Sequence, residues 1–235
     1  MLATYAAGEK GARGAMREGA TVVVVDAYRA STTVAVLVHK GARVVPVASI
    51  EEAERYPGAD YRIGERGSAK VRGFDFGNSP TEVQAADIVP GSTVVLSSTN
   101  GTRIIDDARG APAILMGAFV NAHAIADALL TDGKPDSRFT VVGCGWQGHR
   151  SSEDESAAGA ILYRLREIGV SLEKRAENIV QGYLKRPEKS LRTNSAARRL
   201  KRLDYGHDLD YCLALNKVPV VPRLTDGAFV GDLRV

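Results

Sequence analysis

The sequence predicts an α/β fold in which helices cover both faces of a largely parallel or mixed sheet, a three-layer α/β/α arrangement. Residues 21–25 (TVVVV) form a continuous β-branched run, which is typical of a strand buried on both faces of a parallel sheet. Short apolar strands alternate with helical patterns along most of the chain, as α/β proteins require. Three of these strands run through a polar loop into a helix.

The first unit of this pattern covers residues 21–56. After the strand 21–25, a helix is predicted to begin near Arg29 and to stop at Gly41. Residues 43–48 form the next strand, in which Pro46 indicates a sheet edge or a strand end. Ser49 then caps a short helix. Residues 93–130 repeat this order, so a weak internal duplication within a single domain competes with chance similarity.

The second unit and the later elements of the chain are predicted from the same signals. Strands are expected at 93–96, 113–116 and 139–142, and a short helix opens near Ile104. Helices are expected at 121–130, capped by Asn121, and at 152–168. Residues 218–221 and 228–230 are candidate short strands that close the fold.

A glycine-rich segment, residues 64–82 (GERGSAKVRGFDFGNSPTE), carries most of the functional signal. It has neither helical nor strand periodicity, so the sequence predicts no regular element, and long ordered loops are usually binding or catalytic segments. Glu65 and Asp75 are hard oxygen donors, whereas Arg66 suits an anionic group. Together they suggest a metal-assisted phosphate site, with a solvated surface loop as the alternative. At its end Ser79 is predicted to cap a helix, with Glu82 completing a capping box.

The polar loops at the ends of the strands are expected to converge, because ligands of α/β sheets bind beyond the carboxyl ends of the strands. Asp26 directly follows a buried strand and can be a nucleophile or a metal ligand, or else a turn aspartate. Arg29 can pair with phosphate or make a surface ion pair. Anion binding competes with simple helix capping for the predicted substrate-binding residues Ser31, Thr32, Asn78, Ser79, Thr99, Asn100, Gly101 and Thr102.

Composition narrows the class of protein. The net charge of +3 suits an anionic substrate without requiring nucleic acid, and two cysteines indicate no disulfide framework. Cys144 is interpreted as a small buried residue rather than a nucleophile. Neither a secretory leader nor a membrane-length apolar run is recognised, so we expect a cytoplasmic protein that binds no membrane. The basic segment 184–202 is interpreted as a solvated helical face in preference to a nucleic-acid site.

Several motifs together resemble the 2-phosphosulfolactate phosphatase family. They are DAYRASTT (26–33), the glycine-rich segment 64–82, STNGTR (98–103), the GCGW and SSEDESAAG motifs within 143–159, and VPVV (218–221). The resemblance extends over residues 20–225 and implies a three-layer α/β fold. It also implies a magnesium-dependent acid phosphatase that acts on phosphate monoesters of 2-hydroxycarboxylic acids. The family reaction converts 2-phospho-3-sulfolactate to sulfolactate and phosphate, towards coenzyme M.

We therefore predict a hydrolase that uses Mg²⁺ on a small anionic phosphomonoester, and we leave a homodimer open. The alternative is a basic anion- or nucleic-acid-binding module without catalysis; a kinase ranks low because its nucleotide-binding glycine motifs are missing from the sequence. Catalysis is assigned to Asp26, Arg29, Glu65 and Arg66. The magnesium ligands are expected among Asp26, Glu65, Asp75, Glu153 and Asp154, although acidic residues at 153 and 154 would also suit the start of a helix.

Overall fold

A computed structural model describes residues 1–98 and 101–231. Within them eleven strands form one mixed sheet in the order β5-β4-β6-β3-β11-β10-β7-β2-β8-β1-β9. The predicted α/β class is confirmed. The strands are β1 (Leu2–Ala7), β2 (Thr21–Val25), β3 (Arg43–Val47), β4 (Tyr61–Arg66), β5 (Ala69–Lys70), β6 (Thr93–Ser97), β7 (Ile114–Met116), β8 (Arg138–Gly143), β9 (Ser171–Leu172), β10 (Pro222–Thr225) and β11 (Ala228–Gly231).

Helices cover both faces of this sheet. They are α1 (Gly8–Arg17), α2 (Ala30–His39), α3 (Ile50–Arg55), α4 (Pro80–Ala85), α5 (Gly101–Asp107), α6 (Ala122–Asp132), α7 (Ser152–Glu167), α8 (Lys174–Lys185), α9 (Glu188–Leu191), α10 (Ser195–Arg202) and α11 (Asp208–Cys212), with a 3-10 turn at Phe119–Asn121. None of the described helices is both long and apolar enough to cross a membrane.

The residues of β2 show why its sequence is continuously apolar. Val22 and Val24 belong to the core cluster that contains α1 and α2 residues, whereas Val23 and Val25 belong to the cluster formed with α6, α7 and α8. Alternate side chains of a strand point to opposite faces of the sheet, so both faces of β2 are covered by helices. The run TVVVV therefore predicts this strand correctly.

The sheet consists of two parallel blocks joined by a hairpin. Strands β4, β6 and β3 form one block, and β7, β2, β8, β1 and β9 form the other. The antiparallel hairpin β10–β11 bridges them through the pairs Arg223–Leu115 and Phe229–Val44. The chain crosses from one block to the other between β2 and β3, and crosses back between β6 and β7. The suggested duplication of 21–56 and 93–130 stays a prediction.

Several local expectations are wrong. The glycine-rich segment is partly regular, because β4 and β5 pair as a hairpin whose turn residues Gly67 and Ser68 have φ of 59° and 73°, as a two-residue turn of the primed type requires. Pro46 marks a strand end but not a sheet edge, since β3 pairs with β6 on one side and with β11 at Val44 on the other. Residues 218–221 are not a strand, and β10 begins at Pro222.

The predicted helix cap at Ser79 is confirmed, whereas the one at Asn121 is wrong. The Ser79 hydroxyl accepts from the Glu82 backbone N–H (3.2 Å), which confirms the helix start. The Glu82 carboxylate completes the motif in an altered form, because it accepts from the Gly77 N–H (3.2 Å). Asn121 makes no side-chain cap to α6; its side-chain oxygen instead accepts from the Ala118 N–H (2.8 Å) in the preceding turn.

Candidate active site

The candidate site begins where β2 ends. Asp26 follows β2 directly and its side chain is partly exposed, whereas the valines before it are buried. The Asp26 backbone N–H donates to the Ser31 hydroxyl (2.9 Å), and the Ser31 N–H donates to the Asp26 carbonyl oxygen (2.9 Å). The Thr32 hydroxyl donates to the carbonyl oxygen of Ala27 (3.2 Å). Ser31 and Thr32 thus fix the loop that presents Asp26, and both hydroxyls are engaged inside it.

Two further carboxylates, Glu65 on β4 and Glu153 in the first turn of α7, complete what we call the carboxylate cluster with Asp26. Both side chains are buried, at 6% and 7% exposure. Burial, the negative charge of Glu65 and, to a smaller extent, that of Glu153 together raise the pKa of Asp26 to about 7. Burial also raises the pKa of Glu153. Because the charges of Glu65 and Glu153 both act on Asp26, the three acidic groups, which come from distant parts of the sequence, share one region.

Asp154 lies beside this cluster but is fully engaged. One carboxylate oxygen accepts from the Ala27 N–H (2.8 Å), and the other accepts from the Gly145 N–H (2.8 Å) and the Ser151 hydroxyl (2.6 Å). Burial, then the charge of Asp26, raises the pKa of Asp154. This residue therefore joins the loop after β2 to the loop after β8.

Arg29, which the sequence assigned to catalysis, makes several contacts within the protein, and its catalytic role stays a prediction. Its side chain is 2% exposed, and its guanidinium pairs with Asp208 (2.7 Å), donates to the Ser68 carbonyl oxygen (2.8 Å) and lies 4.2 Å from the Tyr205 ring centre. Asp208 in turn accepts from Ser79 and Thr81 hydroxyls, at 2.8 and 2.6 Å. We call this the Arg29–Asp208 network. It binds the β4–β5 turn and the start of α4 to α11.

A second arginine beside the carboxylate cluster is Arg199 on α10, whereas the charge of Arg29 acts on Asp26. Its guanidinium lies 3.8 Å from the Trp146 ring centre, and its Nε donates to the Ser68 hydroxyl (2.9 Å). Partial burial lowers the pKa of Arg199, while the charges of Glu153 and Glu65 act in the opposite direction. Those two charges place Arg199 next to the cluster. The sequence did not indicate this residue, which lies in the basic segment interpreted as a solvated face.

The other predicted residues of the glycine-rich segment are divided between the site and its surroundings. Arg66 is exposed and donates to the carbonyl oxygen of Glu65 (2.7 Å) and to the Ser97 hydroxyl (3.3 Å). Asn78 is buried, and its side-chain oxygen has no hydrogen-bond partner among the described residues. Asp75 is exposed and accepts from the Arg62 N–H (2.7 Å), a contact that belongs to the strand rather than to the cluster.

The start of α5 reaches Asp26 from the other block of the sheet. A Cβ atom built on Gly101 would lie 3.4 Å from an Asp26 carboxylate oxygen and 3.2 Å from the Ser98 hydroxyl, so only glycine leaves this space open. The Thr102 hydroxyl donates a hydrogen bond to the Ser98 carbonyl oxygen (3.1 Å). The predicted binding residues Thr99 and Asn100 lie outside the described residues.

The cluster has the donor chemistry that magnesium prefers. In residues 1–98 and 101–231, no group of three His, Cys, Asp or Glu side chains is arranged to hold a metal by itself. Magnesium, however, usually keeps several waters and takes one or two carboxylates plus substrate phosphate. The repulsion that raises the pKa of Asp26 is what a bound cation would relieve. Cys144, by contrast, is buried with a raised pKa, which does not suit a thiolate nucleophile.

Comparisons with known proteins agree with the resemblance seen in the motifs. A family model described as 2-phosphosulpholactate phosphatase matches residues 9–227. A probable 2-phosphosulfolactate phosphatase of Parasynechococcus marenigrum (strain WH8102) is 40% identical over 214 residues, covering 85% of this chain and 87% of the relative. One of the same name from Carboxydothermus hydrogenoformans is 38% identical over 227 residues, covering 91% and 90%. The chain belongs to the 2-phosphosulfolactate phosphatase family, a family of phosphoric monoester hydrolases.

Proposed function

We propose that this protein hydrolyses phosphate monoesters of 2-hydroxycarboxylic acids, with 2-phospho-3-sulfolactate as substrate and magnesium as cofactor. The observation that carries the proposal is the carboxylate cluster beside Arg199, in a chain of this family. Clustered carboxylates suit a divalent cation, and an adjacent arginine suits the phosphoryl group that the cation would help to bind.

Each residue of the site has a separate task in this proposal. One or two of the carboxylates of Asp26, Glu65 and Glu153 would hold magnesium, which when bound would neutralise charge in the cluster and polarise the phosphoryl oxygens. Glu65 is fixed by the Ser68 N–H (2.6 Å) and Glu153 by the Asn194 amide (2.8 Å), so both are already oriented. Arg199 would donate to the phosphoryl oxygens and stabilise the charge that develops on them.

The role of Asp26 in bond breaking has two alternatives. As the partly exposed member of the cluster, it can attack phosphorus in its ionised form, which breaks the phosphorus–oxygen ester bond, releases the 2-hydroxy acid once its alkoxide oxygen takes a proton from water, and leaves an aspartyl-phosphate that water hydrolyses. Alternatively, it can hold the cation while water attacks phosphorus directly and the same ester bond breaks. The two routes differ in whether the phosphoryl group is bonded to the protein during turnover. Acid quenching during turnover, borohydride reduction and mass spectrometry of the Asp26 peptide would detect a trapped aspartyl-phosphate only by the covalent route.

The activity itself is tested by phosphate release from 2-phospho-3-sulfolactate and from phospholactate, with magnesium and with a chelator. We expect release that depends on magnesium. Folded protein that releases phosphate from neither ester under any of these conditions would refute the proposal.

Substrate charge provides a sharper prediction. The phospho acid carries about four negative charges, counting its phosphate as roughly two. A phosphosugar lacks the carboxylate and the sulfonate, so it leaves cationic groups of the site unmatched. We expect kcat/KM for 2-phospho-3-sulfolactate to exceed that for glucose 6-phosphate by at least ~10-fold. Equal turnover of glucose 6-phosphate would instead indicate a general phosphatase.

A further inference from the structure

A second polar cleft lies between α7 and α8. Its volume is about 230 Å³. The first turn of α7 separates it from the candidate active site, because Glu153 contacts Asn194 and belongs to the carboxylate cluster, whereas Glu155 lines this cleft. The polar residues that line it are Arg150, Glu155, Ser156, Arg175, Asn178 and Arg186. We call it the arginine cleft.

The charge of the arginine cleft is positive. Glu155 is its one lining carboxylate among the described residues; it accepts from the Nε of Arg150 and lies 3.9 Å from a terminal nitrogen of Arg186. Arg175 has no ion pair within the described part of the chain, and its guanidinium lies 5.3 Å from the Tyr5 ring centre. Three guanidinium groups therefore face a single carboxylate, which leaves cationic charge for a ligand.

Two buried polar atoms of the same cleft lack partners. The Ser156 hydroxyl and the Arg186 Nε are both buried and have no hydrogen-bond partner among the described residues. Ser156 is 1% exposed. Buried donors without acceptors are costly, and native proteins usually satisfy them with protein, water or a ligand. The cleft, at about 230 Å³, has room for a ligand much larger than one water, which occupies about 30 Å³ in the liquid.

We propose that the arginine cleft binds a small oxyanion of the phosphate class, held by Arg186, Ser156 and the unpaired charge of Arg175. A ligand with several acceptor oxygens can accept from both buried donors, and the guanidinium groups match its charge. This site is separate from the proposed catalytic site and does not depend on the proposed activity. Free inorganic phosphate and the phosphate group of an organic ester share this chemistry.

Calorimetric titration of the full chain with inorganic phosphate, in the presence of magnesium, tests the proposal. We expect a phosphate site that Arg186→Gln weakens by roughly tenfold or more and that Arg199→Gln leaves intact, beside a second, catalytic site where phosphate binds as the reaction product and depends on Arg199. Ser156→Ala should weaken the same site by a smaller factor. Lys185→Gln is the matched control, because it removes the same charge from an exposed neighbour that does not line the cleft. Phosphatase turnover should be unchanged in Arg186→Gln.

The outcomes separate this site from the catalytic one. Phosphate binding that is equal in wild type, Arg186→Gln and Lys185→Gln, or that disappears entirely in Arg199→Gln, would overturn the proposal. Titration with a phosphate ester then distinguishes the source of the ligand: binding of the ester but not of free phosphate would exclude inorganic phosphate as the occupant. If the proposed activity is wrong, no phosphate is released in the assay, but calorimetry still measures whether phosphate binding depends on Arg186.

Discussion

Arg29 and Arg199 are two arginines on either side of the same serine, and they are used in opposite ways. Arg29 donates to the backbone oxygen of Ser68 and Arg199 donates to its hydroxyl. Arg29 is buried and paired with Asp208, whereas Arg199 is partly buried, stacked on Trp146 and next to the carboxylate cluster. An arginine whose donors are used within the protein has little left for a ligand. The catalytic assignment of Arg29 stays a prediction, and the availability of donors favours Arg199 as the arginine that binds the substrate.

The largest effect is expected from breaking the Arg29–Asp208 network. Arg29→Ala leaves Asp208, which is 0% exposed, without its cation. Removing one partner of a buried ion pair typically costs about 3–5 kcal/mol, so we expect the free energy of unfolding to fall by that amount. Urea denaturation of the variant measures it. The double variant Arg29→Met/Asp208→Asn should lose less free energy of unfolding than the sum of the losses in the single variants Arg29→Met and Asp208→Asn. Strict additivity of the two losses would show that the pair is not coupled.

Arg199→Ala should instead affect catalysis with little effect on folding. We expect kcat/KM for the phospho acid to fall by about 100-fold, the lower end of what loss of a charge-stabilising donor costs, while the free energy of unfolding changes by less than ~1 kcal/mol. Arg202→Ala is the matched control, since it removes an exposed arginine from the same helix. If both variants retain wild-type kcat/KM, Arg199 has no role in binding the substrate.

Asp26 should make the free energy of unfolding of the metal-free protein depend on pH. The pKa of Asp26 is about 7 in the folded protein and about 3.9 when unfolded. Between these values the folded state holds a proton that the unfolded state has released, so the free energy of unfolding falls as pH rises from 4 to 7. With a discount for partial exposure, we expect a loss of at least ~1 kcal/mol over this range.

Asp26→Asn provides the check on that pH dependence. In the presence of a chelator, the free energy of unfolding of the variant should fall much less between pH 4 and 7 than that of the wild type. In a separate assay with magnesium, the phosphatase turnover of the variant should be largely abolished. Magnesium should raise the melting temperature of the wild type more than that of the variant, because the cation then has one carboxylate fewer to neutralise. An identical slope in the two proteins would contradict the assignment of the raised pKa to Asp26.

The elements that were predicted well are those whose structure depends on the residue types within the element itself. Strand β2 is apolar because both faces are covered, and the Ser79 cap is encoded within four residues. Among the chemical groups, the structure brings together three predicted acidic residues, Asp26, Glu65 and Glu153. Their convergence follows from the rule that loops at the carboxyl ends of strands share one edge of the sheet.

The residues that the sequence could not predict depend on long-range packing of the last third of the chain. Arg199 looks like any arginine in a basic helix; its role follows from the burial of Ala196, Ala197 and Leu200, which fixes one face of α10 against the protein. Asp208 similarly gave no local signal, because its partners lie more than a hundred residues earlier. A polar residue that breaks the apolar face of a helix is the one sequence feature that could have drawn attention to such positions.

The smallest effect is expected at Trp146, which holds the face of the Arg199 guanidinium. A cation–π contact at a partly exposed site contributes about 0.5–1 kcal/mol, so Trp146→Leu should raise KM for the phospho acid about three- to fivefold and leave kcat within twofold. Trp146→Phe keeps an aromatic face and should recover much of the loss, which distinguishes stacking from mere bulk. Because Trp146 is the single tryptophan of the chain, its fluorescence in the wild type should also report binding of the phospho acid at Arg199. Equal KM values for the Leu and Phe variants would show that the aromatic ring does not position Arg199, which would leave the Ser68 hydroxyl as the contact that orients its guanidinium.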